Sequence, residues 1–313
     1  MTDRTLLRNG HISVAVSHLG AELCSLQNSA GRELLWQAGP AWPRHAPILF
    51  PVIGRMVDDT LVHNGVRYPM PQHGFARDHD FARIAATPTS AHFRLTDTPH
   101  TDRHFPFPFV LDVHYQLDDT ALDIVYRLGN PSRHDVLPAS IGVHPAFAWP
   151  LRDGAPKDSY RLEFGEPEPT PVRRVDQVLL RGENQPTPVD GSTLHLAPDL
   201  FADGAIIFDR LSSTSLHYRS DHGDGVTLSW NGFEQHAIWS PPDGTDLICL
   251  EPWFGLPDPI DFAGEYRDKP AQVHLAPGEE REFRLRIAAT SPTGQHRTTQ
   301  SAPHPALAQN EGP

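Results

Sequence analysis

The side chains best suited to acid–base chemistry centre on Glu251, in the stretch LICLEPWFGLPD at residues 247–258. The apolar residues around Cys249 are typical of the end of a buried strand, and Pro252 removes a backbone donor, so regular pairing is predicted to stop there. An acid at such a strand end, followed by Trp253 and a phenylalanine, lies in an apolar setting that raises its pKa and makes it a better proton acceptor. A solvated glutamate at an ordinary strand exit explains the same pattern.

Four more side chains with useful chemistry occupy comparable positions. Arg55 follows the apolar run ILFPVIG, and His73 follows two prolines in YPMPQHGF. His144 stands immediately before a proline in IGVHPAF, and Asp209 ends the apolar stretch GAIIFD. Enzyme sites are commonly assembled from residues that are distant in sequence but lie where strands end and loops begin. Taken singly, a surface arginine and a loop histidine bonded to the backbone explain Arg55 and His73 equally well.

Other kinds of site fit the sequence less well. Two imidazoles and a carboxylate form a known metal-binding arrangement, but the chain has no HExxH or similar ligand spacing, so no metal site is predicted. A serine hydrolase is disfavoured because no GxSxG elbow occurs. The opening segment has the pattern of a β-meander, which leaves no place for a Rossmann-type cofactor domain.

Composition restricts the partners and the compartment. The 313 residues include 26 basic and 39 acidic side chains, and the formal charge of -13 disfavours nucleic acid and anionic membranes and favours a neutral small molecule. Cys24 and Cys249 lie among apolar residues without metal-ligand spacing, which predicts buried free thiols in a reducing compartment. Neither a secretory leader nor a stretch of membrane-spanning length is evident, so a cytoplasmic location is expected.

Frequent turn residues predict an all-β chain. The 32 prolines and 23 glycines leave few intervals long enough for a helix. Alternating patterns predict strands near 91–97, 109–118 and 121–130, the last two as an antiparallel hairpin, and a final strand near 280–289.

The segments between these strands differ in character. The proline-rich segment 42–81 is predicted to be an ordered, irregular segment laid across a sheet, and residues 150–200 to be excursions outside the core. We predict one domain over residues 1–289. The composition of residues 290–313 predicts a disordered tail.

Several motifs together resemble the aldose 1-epimerase (galactose mutarotase-like) family, specifically its LacX-like branch. They are NGHISVAVSHLGAEL with the following GRELLW, HAPILFPVIGR, YPMPQHGFARDHDF, IGVHPAFAWPL and CLEPWFGLPD. The resemblance covers nearly everything from about residue 8 to about residue 289. It implies an antiparallel β-sandwich, the galactose mutarotase-like supersandwich, with a sugar held in a cleft on one concave face and with no metal or organic cofactor.

The resemblance also implies roles for individual residues. Glu251 matches the family's general base, His144 its general acid and His73 its second histidine. Arg55 matches the substrate-binding arginine. Asp209 matches the aspartate that binds a sugar hydroxyl, although the local motif FDRL departs from the family pattern.

The proposed chemistry requires these residue types. Interconversion of the anomers of an aldohexose removes the proton from the C1 hydroxyl and protonates the ring oxygen, so one base and one acid suffice. Glu251 is expected to start ionised and His144 protonated, with Asp209 supporting the imidazolium. Arg55 and His73 would orient hydroxyls. Trp253, Phe147 or Trp36 would pack against a sugar face, although core filling explains any one of them.

Two alternatives stay open at this level. A hexose-6-phosphate 1-epimerase would need cationic groups near the phosphate, for which Arg77, Arg83 and Arg103 are available. A carbohydrate-binding protein of the same fold would have no need of the acid and base that this chain retains.

Overall fold

The computed structural model describes residues 3–290, so the predicted tail lies outside the described residues except for Thr290, which ends the last strand. The predicted all-β architecture is confirmed. The strands are β1 (Arg4–Arg8), β2 (Ser13–Ser17), β3 (Leu23–Gln27), β4 (Ile48–Leu49), β5 (Thr60–His63), β6 (Val66–Pro69), β7 (Ala82–Ala86), β8 (Ser90–Thr96), β9 (Val110–Asp118), β10 (Ala121–Gly129), β11 (Leu137–Ala139), β12 (Ile141–Val143), β13 (Ala146–Ala148), β14 (Tyr160–Phe164), β15 (Val172–Asp176), β16 (Leu179–Gln185), β17 (Thr193–His195), β18 (Ile206–Phe208), β19 (Ser215–Ser220), β20 (Gly225–Asn231), β21 (Gln235–Trp239), β22 (Leu247–Phe254), β23 (Val273–Leu275) and β24 (Glu280–Thr290).

Helical structure is limited to short 3-10 turns, which are Val57–Asp59, Ala76–Asp78, Thr101–Arg103, Lys157–Ser159, Pro198–Phe201 and Tyr266–Asp268. Within residues 3–290, no helix is long and apolar enough to cross a membrane.

Two large antiparallel sheets dominate the fold. The first has nine strands in the order β17-β14-β19-β20-β24-β10-β9-β8-β7, and it contains the predicted hairpin of β9 and β10. The second has eight strands in the order β16-β15-β18-β21-β22-β12-β4, with β13 also paired to β22. A three-stranded sheet of β1, β2 and β3 and the pairs β5-β6 and β11-β23 complete the architecture.

Alternation along β22 explains how one strand serves both the core and the site. Ile248, Leu250 and Phe254 belong to the large apolar cluster that the two main sheets share. Cys249 and Trp253 belong to separate small clusters, because successive side chains of a strand point to opposite faces. Glu251 has the same parity as these two residues and therefore lies on the face away from the main core.

Two predictions about the chain path are wrong. Residues 150–200 are not excursions outside the core, because β14 and β17 lie in the nine-stranded sheet and β15 and β16 in the eight-stranded sheet. Buried side chains such as Tyr160 and Leu162 alternate with polar ones that hide the strand pattern among prolines and charges.

Regular pairing also continues past Pro252, so Glu251 lies inside a strand and not at its end. On one side, β21 pairs with β22, and this pairing begins with Gln235 opposite Trp253. On the other side, Leu250 N–H donates to the Pro145 carbonyl, and the missing donor of Pro252, two residues on, points to the same side. That side is where the chain passes from β12 to β13, so the missing N–H falls at an interruption of the ladder.

Candidate active site

A cavity of about 450 Å³ opens on the outer face of the eight-stranded sheet. Its walls combine the sheet itself, the proline-rich segment 42–81 and the β15–β16 hairpin. The lining residues are Trp42, Gly54, Gln72, His73, Arg77, His144, Val175, Gln177, Val178, Arg181, Ala202, Asp203, Gly204, Ala205, Ile207, Trp239, Glu251, Trp253 and Pro257. The cavity therefore brings together four of the six predicted site residues.

His144 and Glu251 face each other at the interruption between β12 and β13. The register of β22 pairs Gly142 with Trp253 and Ala146 with Cys249, and this spacing places His144 opposite Glu251. Nε2 of His144 lies 3.2 Å from Oε2 of Glu251, and both side chains are almost fully buried. Within residues 3–290, neither Oε2 of Glu251 nor Nδ1 of His144 has a hydrogen-bond partner.

Burial sets the charge state of this pair. It raises the pKa of the Glu251 carboxyl well above its usual value, while the nearby Trp253 indole acts in the opposite direction. Burial lowers the pKa of His144 to about 3, and the positive charges of Arg77 and Arg44 add to this effect. Both shifts favour a neutral carboxyl beside a neutral imidazole, which is the opposite of the expected ionised Glu251 and protonated His144.

His73 is held in one tautomer by the backbone. The Gly54 N–H donates to Nδ1 of His73 over 3.1 Å, and the His73 N–H donates to the Gly54 carbonyl over 2.6 Å. Burial first, and then the charges of His144 and Arg77, keep the pKa of His73 well below its usual value. A neutral imidazole that accepts at Nδ1 carries its proton on Nε2, so His73 is a hydrogen-bond donor.

The backbone around His73 is unusually close to its neighbours. His73 has φ of 63° and Gly74 has φ of 71°, and both lie in the left-handed region. A Cβ atom on Gly74 would overlap the carbonyl oxygen of Phe50. Glycine is therefore required at position 74, and this close approach keeps His73 on the cavity wall.

Three tryptophans surround the pair. The Trp42 ring stacks on His144 with centroids 5.0 Å apart, and Trp239 approaches His144 edge-on at 6.1 Å. Trp253 also lines the cavity, and its Nε1 is buried without a hydrogen-bond partner in the described structure. Of the other aromatic residues considered from the sequence, Phe147 is fully buried in the main core and Trp36 packs behind Trp42.

Arg55 does not line this cavity. Its guanidinium donates two hydrogen bonds of 2.6 Å to Asp59, four residues further on, and it borders a neighbouring, more open depression. Asp209 lies outside the cavity as well, where it pairs with Arg173 at 3.1 Å. It therefore does not contact His144 and leaves that imidazole without the expected anionic support.

Two other arginines line the cavity in the described part of the chain. Arg181 pairs with Asp203 at the rim over 3.4 Å. Arg77 is mostly buried, and its Nε has no hydrogen-bond partner in the described structure. Asp78 lies 3.7 Å from Arg77 and also binds Arg44 at 2.8 Å, so one carboxylate serves two cations.

Three features of the site are not evident from the sequence: Trp42, Trp239 and the tip of the β15–β16 hairpin. Trp239 lies two residues after Ala237, which pairs with Glu251, and shares its sheet face, so only the strand register could have identified it. Gln177 and Val178 form the hairpin tip with φ of 48° and 69°, and Val178 accepts a backbone hydrogen bond from Arg55. Nothing in the local sequence indicates that this hairpin reaches the site.

The comparisons with known proteins agree with this fold. The sequence model of the family described as aldose 1-epimerase matches residues 3–288, and the chain belongs to this family. Protein LacX of Lactococcus lactis subsp. lactis, in its plasmid and chromosomal forms, is 30% identical over 281 residues. These residues cover 87% of this chain and 94% of LacX, and the predicted family and branch are confirmed.

Solved structures support the same fold. A galactose mutarotase related enzyme from Lactobacillus acidophilus has a TM-score of 0.87 and 32% identity, covering 93% of this chain and 98% of its own. A galactose mutarotase-like protein from Lactobacillus casei ATCC 334 has a TM-score of 0.86 and 30% identity, with coverage of 92% and 100%. The galactose 1-epimerase from Lactobacillus acidophilus NCFM has a TM-score of 0.68 at 14% identity, covering 91% of this chain and 93% of its own, which is a likeness of fold. The predicted galactose mutarotase-like sandwich is thereby confirmed.

Proposed function

We propose that this protein is an aldose 1-epimerase that interconverts the α and β anomers of a free aldohexose. The observation that carries the proposal is the buried pair of His144 and Glu251, 3.2 Å apart on the wall of a cavity large enough for a small molecule. A pure binding site has no need of such an acid and base pair. Membership of the aldose 1-epimerase family supports the same reaction.

The proposed reaction opens and recloses the sugar ring. A base takes the proton from the C1 hydroxyl while an acid protonates the ring oxygen, the C1 to ring-oxygen bond breaks, and an open-chain aldehyde forms. Rotation about the bond between C1 and C2 turns the other face of the aldehyde toward the returning hydroxyl. Reclosure reverses both proton transfers and gives the other anomer, so the acid and the base exchange roles within one cycle.

The pair supplies both functions with a single proton. Burial raises the pKa of Glu251 and lowers that of His144, which favours the proton on Glu251 beside a neutral His144. We propose that the sugar hydroxyls, together with the Trp253 indole, stabilise the Glu251 carboxylate and shift the proton to His144. Glu251 then takes the C1 proton and His144 protonates the ring oxygen.

Other residues around the cavity are assigned to binding the sugar. His73 offers an Nε2 donor in a fixed position, and the Arg77 guanidinium offers donors to a polyhydroxylated ring or to charge that develops on oxygen. Trp253 offers an apolar ring face to the sugar. Arg55 and Asp209 would reach a sugar only if their ion pairs opened, so we assign the contacts to His73, Arg77 and Trp253.

Polarimetry tests the proposal directly. Freshly dissolved α-D-glucose and α-D-galactose should reach equilibrium rotation faster with the wild type than in buffer. Glu251→Gln keeps the size of the side chain but removes the base, and it should reduce the rate by about two or more orders of magnitude. Glu168→Gln is the matched control, because Glu168 is also fully buried but accepts bonds from Ser212 and Ser213 away from the cavity. A wild type that fails to exceed the buffer rate on any aldose or aldose phosphate would refute the epimerase.

Arg77 favours one alternative substrate class, the hexose 6-phosphates. Its buried Nε has no hydrogen-bond partner in the described structure, and the nearest carboxylate, that of Asp78 at 3.7 Å, is shared with Arg44, so the guanidinium could bind an anionic substituent. Arg83 and Arg103, the other candidates, do not line the described cavity. Acceleration for glucose 6-phosphate alone, lost in Arg77→Gln, would establish this alternative. Sugar binding without acceleration would instead indicate a carbohydrate-binding protein.

A further inference from the structure

We propose that Cys249 joins His144 and Glu251 in a binding site for a thiophilic divalent metal ion such as Zn²⁺, and that the bound ion blocks the active site. The Cys249 sulfur, a carboxylate oxygen of Glu251 and a ring nitrogen of His144 all lie within 4.8 Å of one another. The inhibition rests on the proposed epimerase function, whereas the metal binding does not.

The sheet geometry brings the three ligands together. Cys249 and Glu251 are two residues apart on β22, so their side chains point to the same face, and His144 lies opposite Glu251 in register. Zn²⁺ is bound by sulfur, imidazole nitrogen and carboxylate oxygen at about 2.0 to 2.3 Å in a tetrahedron, which separates neighbouring ligand atoms by roughly 3.4 Å. The 3.2 Å between His144 Nε2 and Glu251 Oε2 is close to this edge length.

A carboxylate oxygen of Glu251 is free to bind, and the cavity gives access to Glu251 and His144. Oε2 of Glu251 is buried and has no hydrogen-bond partner within residues 3–290. His144 and Glu251 line the cavity, and Cys249 packs against Trp42 and Trp239, which line it too. A metal ion held by three protein ligands would direct its fourth position into the cavity, where water or a sugar hydroxyl could occupy it.

Two other clusters of potential ligands in the described chain lack these properties. In the first, formed with Cys24 and His45, Glu22 already accepts hydrogen bonds from the backbone N–H groups of residues 45 and 46. In the second, formed with His92 and His114, Asp112 accepts two hydrogen bonds from Arg94, so both of its carboxylate oxygens are already engaged.

Metal binding and catalysis would exclude each other. The ion replaces the proton of Glu251 and the thiol proton of Cys249 and takes the lone pair of the neutral His144, so two protons are released for each ion bound. With both members of the pair coordinated, neither a base nor an acid remains for the sugar.

Cobalt titration tests the binding half of the proposal without any activity measurement. Co²⁺ is the probe, because a bound thiolate gives an intense sulfur-to-cobalt charge-transfer band in the near ultraviolet. The purified full-length wild type should show this band with one ion per chain, and Cys249→Ser and Cys249→Ala should lose it. Cys24→Ser is the matched control, since Cys24 is a second buried thiol in its own Glu and His cluster, and it should keep the band.

Zn²⁺ inhibition in the polarimetric assay tests the second half. Zn²⁺ should inhibit the wild type and Cys24→Ser alike, and the concentration for half inhibition should rise at least about ten-fold in both Cys249 variants.

A cobalt band that persists in the Cys249 variants, or that disappears in Cys24→Ser, would overturn the site. A normal cobalt band in a protein without epimerase activity would refute the proposed function and leave the metal site intact. Equal Zn²⁺ inhibition of wild type and Cys249 variants would overturn the blocking role.

Discussion

Glu251 and His144 form a pair that contains one proton, and this count does not depend on which partner carries it. A neutral carboxyl beside a neutral imidazole and a carboxylate beside an imidazolium differ only by a transfer across 3.2 Å. Burial favours the first arrangement because neither charge is solvated or supported by a counterion. The protein is therefore expected to be active over the pH range in which the pair keeps this single proton.

The pH dependence of kcat/KM follows from this count. The pKa of His144 is lowered to about 3, so a second proton enters the pair only far below the ordinary imidazole range. The rate should stay constant as the pH falls from about 6 to about 4, and it should decline on the alkaline side when Glu251, with its raised pKa, loses the shared proton. Polarimetry across this range, with circular dichroism to confirm folding, provides the measurement. An acid limb centred near the ordinary histidine value would contradict this account.

The residue types of the site were predictable from the sequence, but their orientations were only partly so. His73, His144 and Glu251 stand out because prolines and apolar neighbours frame them, and the structure brings all three to one cavity. Arg55 turns to Asp59 instead, because an acid four residues away in a tight turn captures its guanidinium. Local sequence does not determine which of two competing partners a long side chain binds.

At the scale of single elements, the loop that carries His73 is as important as the strand that carries Glu251. Gly54 binds His73 through both backbone and ring, and Gly74 touches Phe50 where no Cβ would fit. The imidazole is thus fixed by backbone contacts within the segment 42–81. This segment was predicted to be irregular, and it is so apart from the short strand β4, the β5–β6 hairpin and two 3-10 turns.

Gly74→Ala tests this close packing. The substitution adds left-handed backbone strain of about 1 to 2 kcal/mol and a further overpacking cost of about 1 to 3 kcal/mol against Phe50. Gly65→Ala is the control, since Gly65 has a similar φ of 74° but nothing within 4 Å of an added Cβ. Urea unfolding should show a clearly larger loss for Gly74→Ala than for Gly65→Ala. Equal losses would mean that the contact with Phe50 is easily relieved.

Sequence patterns do not reveal the strand register that aligns the residues of the site. The apolar run around Cys249 correctly indicates a buried strand, and Pro252 was read as its end because a proline normally interrupts pairing. The strand continues because the neighbouring chain is itself interrupted at His144 and Pro145. Each irregularity is visible locally, but their alignment across two strands is a property of the folded sheet.

For the whole molecule, three buried neutral histidines have a consequence for acid stability. Burial lowers the pKa of His73 well below its usual value, and of His144 and His236 to about 3. The unfolded chain, with ordinary histidines, binds more protons than the folded chain once the pH falls below about 6.5, so stability is lost from there toward pH 3. Glu251 has the opposite shift, and its contribution is lost as the pH rises through its folded pKa.

His236→Gln isolates one of these contributions away from the cavity. Removing a histidine with a strongly lowered pKa should reduce the loss of unfolding free energy by up to about 1.4 kcal/mol per pH unit between pH 6 and 4. Urea unfolding at several pH values measures this slope. His11→Gln is the control, because it removes one histidine at an exposed position. Parallel slopes for the wild type and His236→Gln would show that His236 titrates normally.

The composition predicted the architecture at this scale better than it predicted the path of the chain. Abundant proline and glycine with short alternating runs indicate an all-β fold, and the hairpin of β9 and β10 was located within one residue at each end. The same criteria failed to predict the strands within residues 150–200, because β15 and β16 carry several charged and polar residues along an edge of the sheet. Their hairpin nevertheless forms one wall of the cavity.

The coupling between Glu251 and His144 is the most direct test of the central claim. Anomerisation rates should be measured for Glu251→Gln, His144→Gln and the double variant, with His236→Gln as a control for loss of a buried histidine. Because acid and base act as one unit, each single variant should lose about two or more orders of magnitude, and the double variant should be little slower than the worse single one. Independent effects that multiply in the double variant, or a His144→Gln enzyme as fast as His236→Gln, would contradict the account.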